Sequence, residues 1–176
     1  MHVRPRLAGD VHACVEILRR THEIDGYPLV WPDVPERFVV RAHETDAWVA
    51  VIDDAVVGHV SNQVAEGWPG LPAVTSETVL GADQLSVVSA LFTSVDHRRS
   101  GVGNALLDQA VQRATATGHH PVLDVGKTLT GAVSFYERAG WCRIGEVTFM
   151  IGSTSIDSWV YVGPRGDDDP VTAAWR

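Results

Sequence analysis

The sequence predicts an α/β domain, a mixed central sheet flanked by helices. Three observations carry this: apolar spacing switches between period two and period 3.6; the second half runs strand–helix–strand–helix and then two strands; and one strand passes through a glycine-rich turn directly into an amphipathic helix. At 176 residues the chain fits one domain, and 45% apolar against 20% charged residues is an ordinary globular composition. The net charge of −8, from 14 basic and 22 acidic residues, opposes a nucleic-acid partner. No apolar run approaches the ~20 residues that span a bilayer, so no membrane association is expected. Met1-His2-Val3-Arg4-Pro5 lacks the apolar core of a secretory signal, which makes a cytoplasmic location the expectation.

Val3 to Leu7 reads as a first strand. Asp10 is a suitable N-cap for a helix whose apolar positions Val11, Cys14, Val15 and Leu18 share one face, with Gly26 and Pro28 as its stop. His22 to Pro35 predicts a loop with a short helix. Ala47–Ile52 and Val56–Val64, around Asp53-Asp54, read as a hairpin. Glu66 to Ala82, with Gly67, Pro69, Gly70 and Pro72, reads as a long connection. Leu85 to Val95 is an apolar strand, a helix runs from Gly101 to Gly118, and Pro121–Val125 is a short strand. A second helix over Thr130–Ala139 closes on Gly140, and Trp141–Met150 and Ser158–Val162 are the last strands. Residues 1–163 form the expected domain and 164–176 a tail with the acidic run Asp167-Asp168-Asp169.

The segment with chemical content is the junction Asp96-His97-Arg98-Arg99-Ser100-Gly101-Val102-Gly103-Asn104, entered from the strand Leu91-Phe92-Thr93. Glycines allow close backbone approach, and the unpaired amides of a helix start converge where the helix dipole favours an anion. This is how a phosphate cradle is built. A Walker loop would need a lysine that is missing here. A dinucleotide fingerprint would need a third glycine where Leu106 stands.

Arg98-Arg99-Ser100-Gly101-Val102-Gly103 resembles the Gln/Arg-x-x-Gly-x-Gly/Ala loop of the GNAT superfamily of acyl-CoA N-acyltransferases. Ala132-Val133-Ser134-Phe135-Tyr136-Glu137-Arg138-Ala139-Gly140-Trp141 is similar to that family's later Ala-x-x-x-Tyr-Glu-x-x-Gly-Phe helix. The resemblance spans about Val3 to Val162 and implies a GNAT-like fold. It implies acetyl-CoA as co-substrate, with an acetyl group moved to a primary amine of a small molecule or peptide. Leu91, Phe92 and Thr93 would then pair with pantetheine through their main chain. Arg98, Arg99, Ser100, Gly101, Val102, Gly103 and Asn104 would hold the pyrophosphate, and Tyr136 would protonate the leaving thiolate. No metal is called for. In one respect the chain departs from the family: Leu129 stands where a cofactor-contacting asparagine is common, with Thr128 and Thr130 beside it.

The expected partners are acetyl-CoA and an amine; a homodimer is compatible with this reading. The acceptor is expected between His22–Pro35 and Glu66–Ala82, which carry Tyr27, Trp31 and Trp68 with Glu23, Asp25, Asp33, Glu66 and Glu77, a mild preference for a cationic amine. No carboxylate lies on Ser86–Val95, so Glu66, Glu77, Asp83, His59 and Asp124 stand as alternative general bases. Asp124 reads either as a structural acceptor or as an amine contact. His119-His120 read as surface histidines, and Cys14 and Cys142 as small hydrophobes. A non-catalytic acyl-CoA sensor is the rival reading.

Overall fold

The computed structural model describes residues 1–164, so the expected tail lies outside the described residues apart from Pro164. Its seven strands are β1 (His2–Pro5), β2 (Glu44–Ile52), β3 (Ala55–Val64), β4 (Leu85–Thr93), β5 (His120–Gly126), β6 (Cys142–Ile151) and β7 (Thr154–Val162). They form one mixed sheet in the order β1-β2-β3-β4-β5-β7-β6. The helices are α1 (Val11–Asp25), α2 (Glu36–Val39), α3 (Leu71–Glu77), α4 (Val102–Ala116) and α5 (Thr130–Arg138). The expected α/β architecture is therefore observed. The connection expected over Glu66–Ala82 contains α3, a single short helix. Its Pro72 sits at the first turn, where a missing N–H costs nothing.

The chain divides into two compact units. Met1–Gln63 with Val88–Ala110 make the first, and Val64–Val87 with the chain from Val111 onward make the second. In the first, α1 buries Cys14, Val15 and Leu18 against Val39, Val49, Val51, Ala90 and Phe92. Gly26, at φ 71°, ends the helix in the left-handed region. Asp10 does not cap α1 with its side chain. Its carboxylate acts one turn earlier, accepting the Leu7 N–H at 2.7 Å and both Arg4 guanidinium nitrogens at 2.6 and 2.8 Å. Those bonds hold its pKa below the ordinary aspartate range, Arg4 being the main cause. Asp53 and Asp54, at φ 48° and 63°, make the two-residue turn between β2 and β3, a conformation that aspartate tolerates.

β3 is the organising strand of this unit because its two faces serve different neighbours. On one face a Cβ at Gly58 would lie 2.8 Å from Leu106 Cδ1 and 3.1 Å from both Val102 Cγ1 and the Phe92 carbonyl oxygen. Only glycine lets α4 settle that closely. Asn62, on the same face, donates to the Ala110 carbonyl at 2.9 Å. On the other face Ser61 donates to the Ser89 carbonyl at 3.3 Å, and fully buried His59 meets the Ala90 carbonyl at 2.9 Å.

The proton on His59 can be assigned from its partners. A carbonyl can only accept, so Nδ1 carries the hydrogen. Arg6 NH1, 3.0 Å from Nε2, can only donate, so Nε2 is the acceptor and the ring is neutral. Burial pushes the imidazole pKa down to about 4, and the charges of Arg6 and Arg41 add to this against the opposing Ala90 bond. Arg6 forms a bidentate pair with Glu44, at 2.6 and 3.0 Å, and donates to the Val39 carbonyl at 2.6 Å. The end of α2, the start of β2 and the middle of β3 thus meet on one guanidinium.

The second unit packs Val74, Leu80, Leu85, Val87, Val122, Val160 and Val162 into its own core, with Trp68 and Leu71 against it. β5 and β7 run antiparallel from Val122↔Val162 to Gly126↔Ser158. β4 and β5 run parallel over Leu85↔His120, Ser86↔Pro121 and Val87↔Val122. His120, expected at the surface, is buried as the first residue of β5, whereas His119 is half-buried and close to the Thr117 hydroxyl. Cys14 is fully buried and its thiol pKa is pushed up to about 12 by that burial; Cys142 is half-buried, and both are free.

Two outcomes follow from these contacts. Gly58→Val should force α4 away from β3, destabilise the fold by about 1–3 kcal/mol and lower Tm by roughly 2–4 °C per kcal/mol, read by thermal unfolding. The second concerns pH. His59 titrates near 6.5 unfolded and near 4 folded, so its neutral burial stabilises the protein fully above pH 6.5. That contribution shrinks as pH falls from 6.5 to 4, by up to about 3 kcal/mol. Urea unfolding at stepped pH should show His59→Asn losing less stability over that window than the wild type.

Candidate active site

The first unit contributes a strand, a loop and a helix start. β4 carries Ala90 at φ 48°, an uncommon conformation for a residue with a side chain, and this kink sits immediately before Leu91, Phe92 and Thr93. The Phe92 side chain is buried and stacks on His59 with ring centroids 5.2 Å apart, so only its main chain is available to a ligand. Leu91 and Thr93 are half-buried. Ser94 follows with its N–H on the Val57 carbonyl at 2.8 Å, and a 3₁₀ turn over Val95–His97 leads into the loop.

Arg98, Arg99, Ser100 and Gly101 are exposed. Arg99, at φ 60°, and Gly101, at φ 83°, both take the left-handed region, which turns the chain sharply into α4. The Ser100 hydroxyl donates to the His97 carbonyl at 2.5 Å. Val102 is buried under the helix, while half-buried Gly103 and exposed Asn104 complete its first turn. The amides of Val102, Gly103 and Asn104 precede the first intrahelical bond, in which the Ala105 N–H reaches the Gly101 carbonyl at 3.0 Å. Amides at a helix start are donors suited to an anion.

Arg98 pairs with Asp25, and Arg20 pairs with Asp96 at 2.6 Å. Both pairs are exposed, and such pairs contribute about 0–1 kcal/mol. A phosphate could displace Asp25 from Arg98 at little cost. Glu23 pairs with Arg19 at 2.7 Å, and Tyr27 and Trp31 pack against the core. These groups of the segment His22–Pro35 are therefore engaged in holding α1 and its surroundings.

The second unit carries Tyr136 and Asp124. Tyr136 is half-buried on α5 within an aromatic cluster, with ring centroids 5.2 Å from Phe135, 5.8 Å from Trp141 and 6.4 Å from Tyr161. Tyr161 is fully buried; its hydroxyl donates to Glu137 at 3.2 Å, and its pKa is pushed up to about 12 by burial and by that carboxylate. Leu129 is the N-cap of α5, where no side chain accepts an amide hydrogen. Asp124, half-buried on β5, accepts the Trp68 indole N–H at 2.7 Å. Trp68 thereby joins its connection to β5, an interaction that sequence spacing does not reveal. Among the described residues no cluster of three or more His, Cys, Asp or Glu could hold a metal ion, and no helix is long and apolar enough to cross a membrane.

Of the sequence-derived bases, His59 is fully buried with both ring nitrogens engaged, whereas Glu66, Glu77 and Asp83 are exposed. The kink at Ala90 and the Arg6–His59 network against β4 are features that sequence reading missed. The only signal was a histidine placed inside an apolar strand.

Solved structures share this fold. smu.2055 from Streptococcus mutans matches with a TM-score of 0.72 at 19% identity, covering 94% of this chain and 100% of its own. NAA60 from Arabidopsis thaliana, crystallised with acetyl-CoA, matches with a TM-score of 0.68 at 17% identity, covering 92% and 96%. A ribosomal-protein-alanine N-acetyltransferase from Brucella melitensis matches with a TM-score of 0.66 at 16% identity, covering 92% and 98%. At such identities the likeness is one of fold. No curated protein matches the chain in sequence. The family model described as acetyltransferase (GNAT) family matches residues 11–141, and with that span of strand, loop and tyrosine helix the chain belongs to the GNAT acetyltransferase family.

Proposed function

We propose that residues 1–163 act as an N-acetyltransferase that moves an acetyl group from acetyl-CoA directly to a primary amine of a small molecule or peptide. The observation that carries this reading is the kinked β4 running into a loop and a helix start whose first amides are donors for an anion. The pairing of β4 with β5 adds support. It covers Leu85–Val87, three residues of a nine-residue strand, and β4 runs on to Thr93. In this reading the main chain of Leu91, Phe92 and Thr93 pairs with pantetheine, and Arg98 to Asn104 take the pyrophosphate. NAA60 and the Brucella enzyme, one crystallised with acetyl-CoA and the other named for an alanine amine, lend the fold-level analogy.

The chemistry balances without a covalent enzyme intermediate. The neutral amine attacks the thioester carbonyl, and main-chain N–H groups stabilise the oxygen that becomes negative. The nitrogen gives up one proton to solvent, the C–S bond breaks, and the thiolate takes a proton from Tyr136, which solvent restores. Tyr136 suits this role better than its neighbour Tyr161. Tyr161 is fully buried, its proton lies on Glu137 and its pKa is raised to about 12, whereas Tyr136 is half-buried.

Gly103→Glu places a carboxylate among the helix-start amides, and should abolish acetyl-CoA binding in calorimetry while circular dichroism shows the fold retained. Undiminished binding would remove the cradle from the assignment. Tyr136→Phe keeps the ring and its aromatic contacts but removes the proton, so kcat should fall by about 10²–10⁴ with KM for acetyl-CoA little changed. Wild-type turnover in that variant would leave the phenol with a packing role only. A protein that binds acetyl-CoA but cleaves no thioester with any amine of a broad panel would be the sensor instead.

A further inference from the structure

We propose that His59 is a positioning residue for acetyl-CoA: by holding the Ala90 carbonyl it maintains the kink that aims the main chain of Leu91, Phe92 and Thr93. The proposal rests on β4 being the acyl-CoA strand. Ala90 at φ 48° is a strained position for an alanine, and such conformations persist where their surroundings over-determine them. In a regular strand a carbonyl lies in the sheet and is taken by a neighbouring N–H. Here the Ala90 carbonyl is taken by a side chain, His59 Nδ1–H, at 2.9 Å. The same ring stacks on Phe92, two residues on, at 24° between planes. One imidazole therefore grips β4 at the kink and directly beyond it.

The ring is itself fixed. Arg6 occupies Nε2 at 3.0 Å, and Glu44 with the Val39 carbonyl fixes Arg6. The direction of each bond is dictated, since a guanidinium only donates and a carbonyl only accepts. His59 has no exposed surface, so it cannot touch substrate and acts only through β4. A histidine that merely filled the core would be replaceable by another polar side chain without regard to where its donor sits. A positioning histidine would not, because its value lies in the single N–H on Ala90.

Asparagine and glutamine separate these cases. Asn Nδ2 falls where His Nδ1 stands, whereas the Gln amide lies one bond farther out. Acetyl-CoA affinity by calorimetry and kcat/KM should stay within about threefold of wild type in His59→Asn, and fall about tenfold or more in His59→Gln, a loss of the size that releasing a strained backbone site implies. KM for the amine should change little in either. Amide hydrogen exchange at Leu91–Thr93 should be faster in His59→Gln than in His59→Asn, at matched thermal stability. Equal affinity and equal exchange in the two variants would overturn the proposal. If wild-type protein binds no acetyl-CoA, the transferase reading fails and takes the ligand of this proposal with it. The exchange comparison would still decide whether His59 sets the strand.

Discussion

A guanidinium can donate hydrogen bonds but never accept one, and much of the first unit is ordered around that asymmetry at Arg6. Its donors run to Glu44, to the Val39 carbonyl and to His59 Nε2. The last of these forces the imidazole proton onto Nδ1 and so onto Ala90. Reversing any link would leave a buried donor facing a donor. A buried polar group left without its partner costs about 1–3 kcal/mol, the same order as a strained backbone position, so the Arg6–His59 network is of the size needed to maintain the kink in β4.

The proposed function requires an acidic chain to present a site for a polyanion. A net charge of −8 does not attract pyrophosphate at long range. Attraction has to come from fixed dipoles at short range, and the helix-start amides of Val102, Gly103 and Asn104 supply them. Their placement depends on Gly58, whose missing side chain lets Leu106 and Val102 approach β3. The arginines of the loop are secondary. Arg98 is shared with Asp25 in an exposed pair.

The elements with strong periodicity were readable from sequence alone. α1, α4 and α5 lie within one or two residues of their expected bounds, and their glycine stops at 26, 118 and 140 all take positive φ. The order of strands, the glycine loop and the tyrosine helix were also legible, because each is written in consecutive residues. What escaped was written across long separations. α3 hides among Pro, Gly, Thr and Ser, whose local preferences do not favour a helix, and packs only through Leu71, Ala73 and Val74. Asp10 looked like a helix cap but is claimed by Arg4 and Leu7. His120 gave the signal of a polar loop residue, yet it opens a buried strand. Ala90 gave no signal, since its positive φ is imposed by a partner 31 positions away rather than permitted by a glycine.

Removing His59 from the list of bases also constrains the chemistry of the amine. Its two ring nitrogens are occupied, and four carboxylates remain: Glu66, Glu77, Asp83 and Asp124. An alkylammonium group ordinarily titrates near 10, so a carboxylate is a poor acceptor for its proton. Entry as the neutral minority, about one part in 10³ at pH 7, costs about 4 kcal/mol. The neutral amine is therefore the route into the reaction. A carboxylate becomes useful later, once nitrogen has bonded to the carbonyl carbon and its proton is far more acidic. Asp124 differs from the three exposed groups in that the Trp68 indole fixes one of its oxygens on β5. On this account the ground-state base matters little. In the proposed reaction the barrier would rest on the oxyanion donors and on the proton that Tyr136 would give to sulfur.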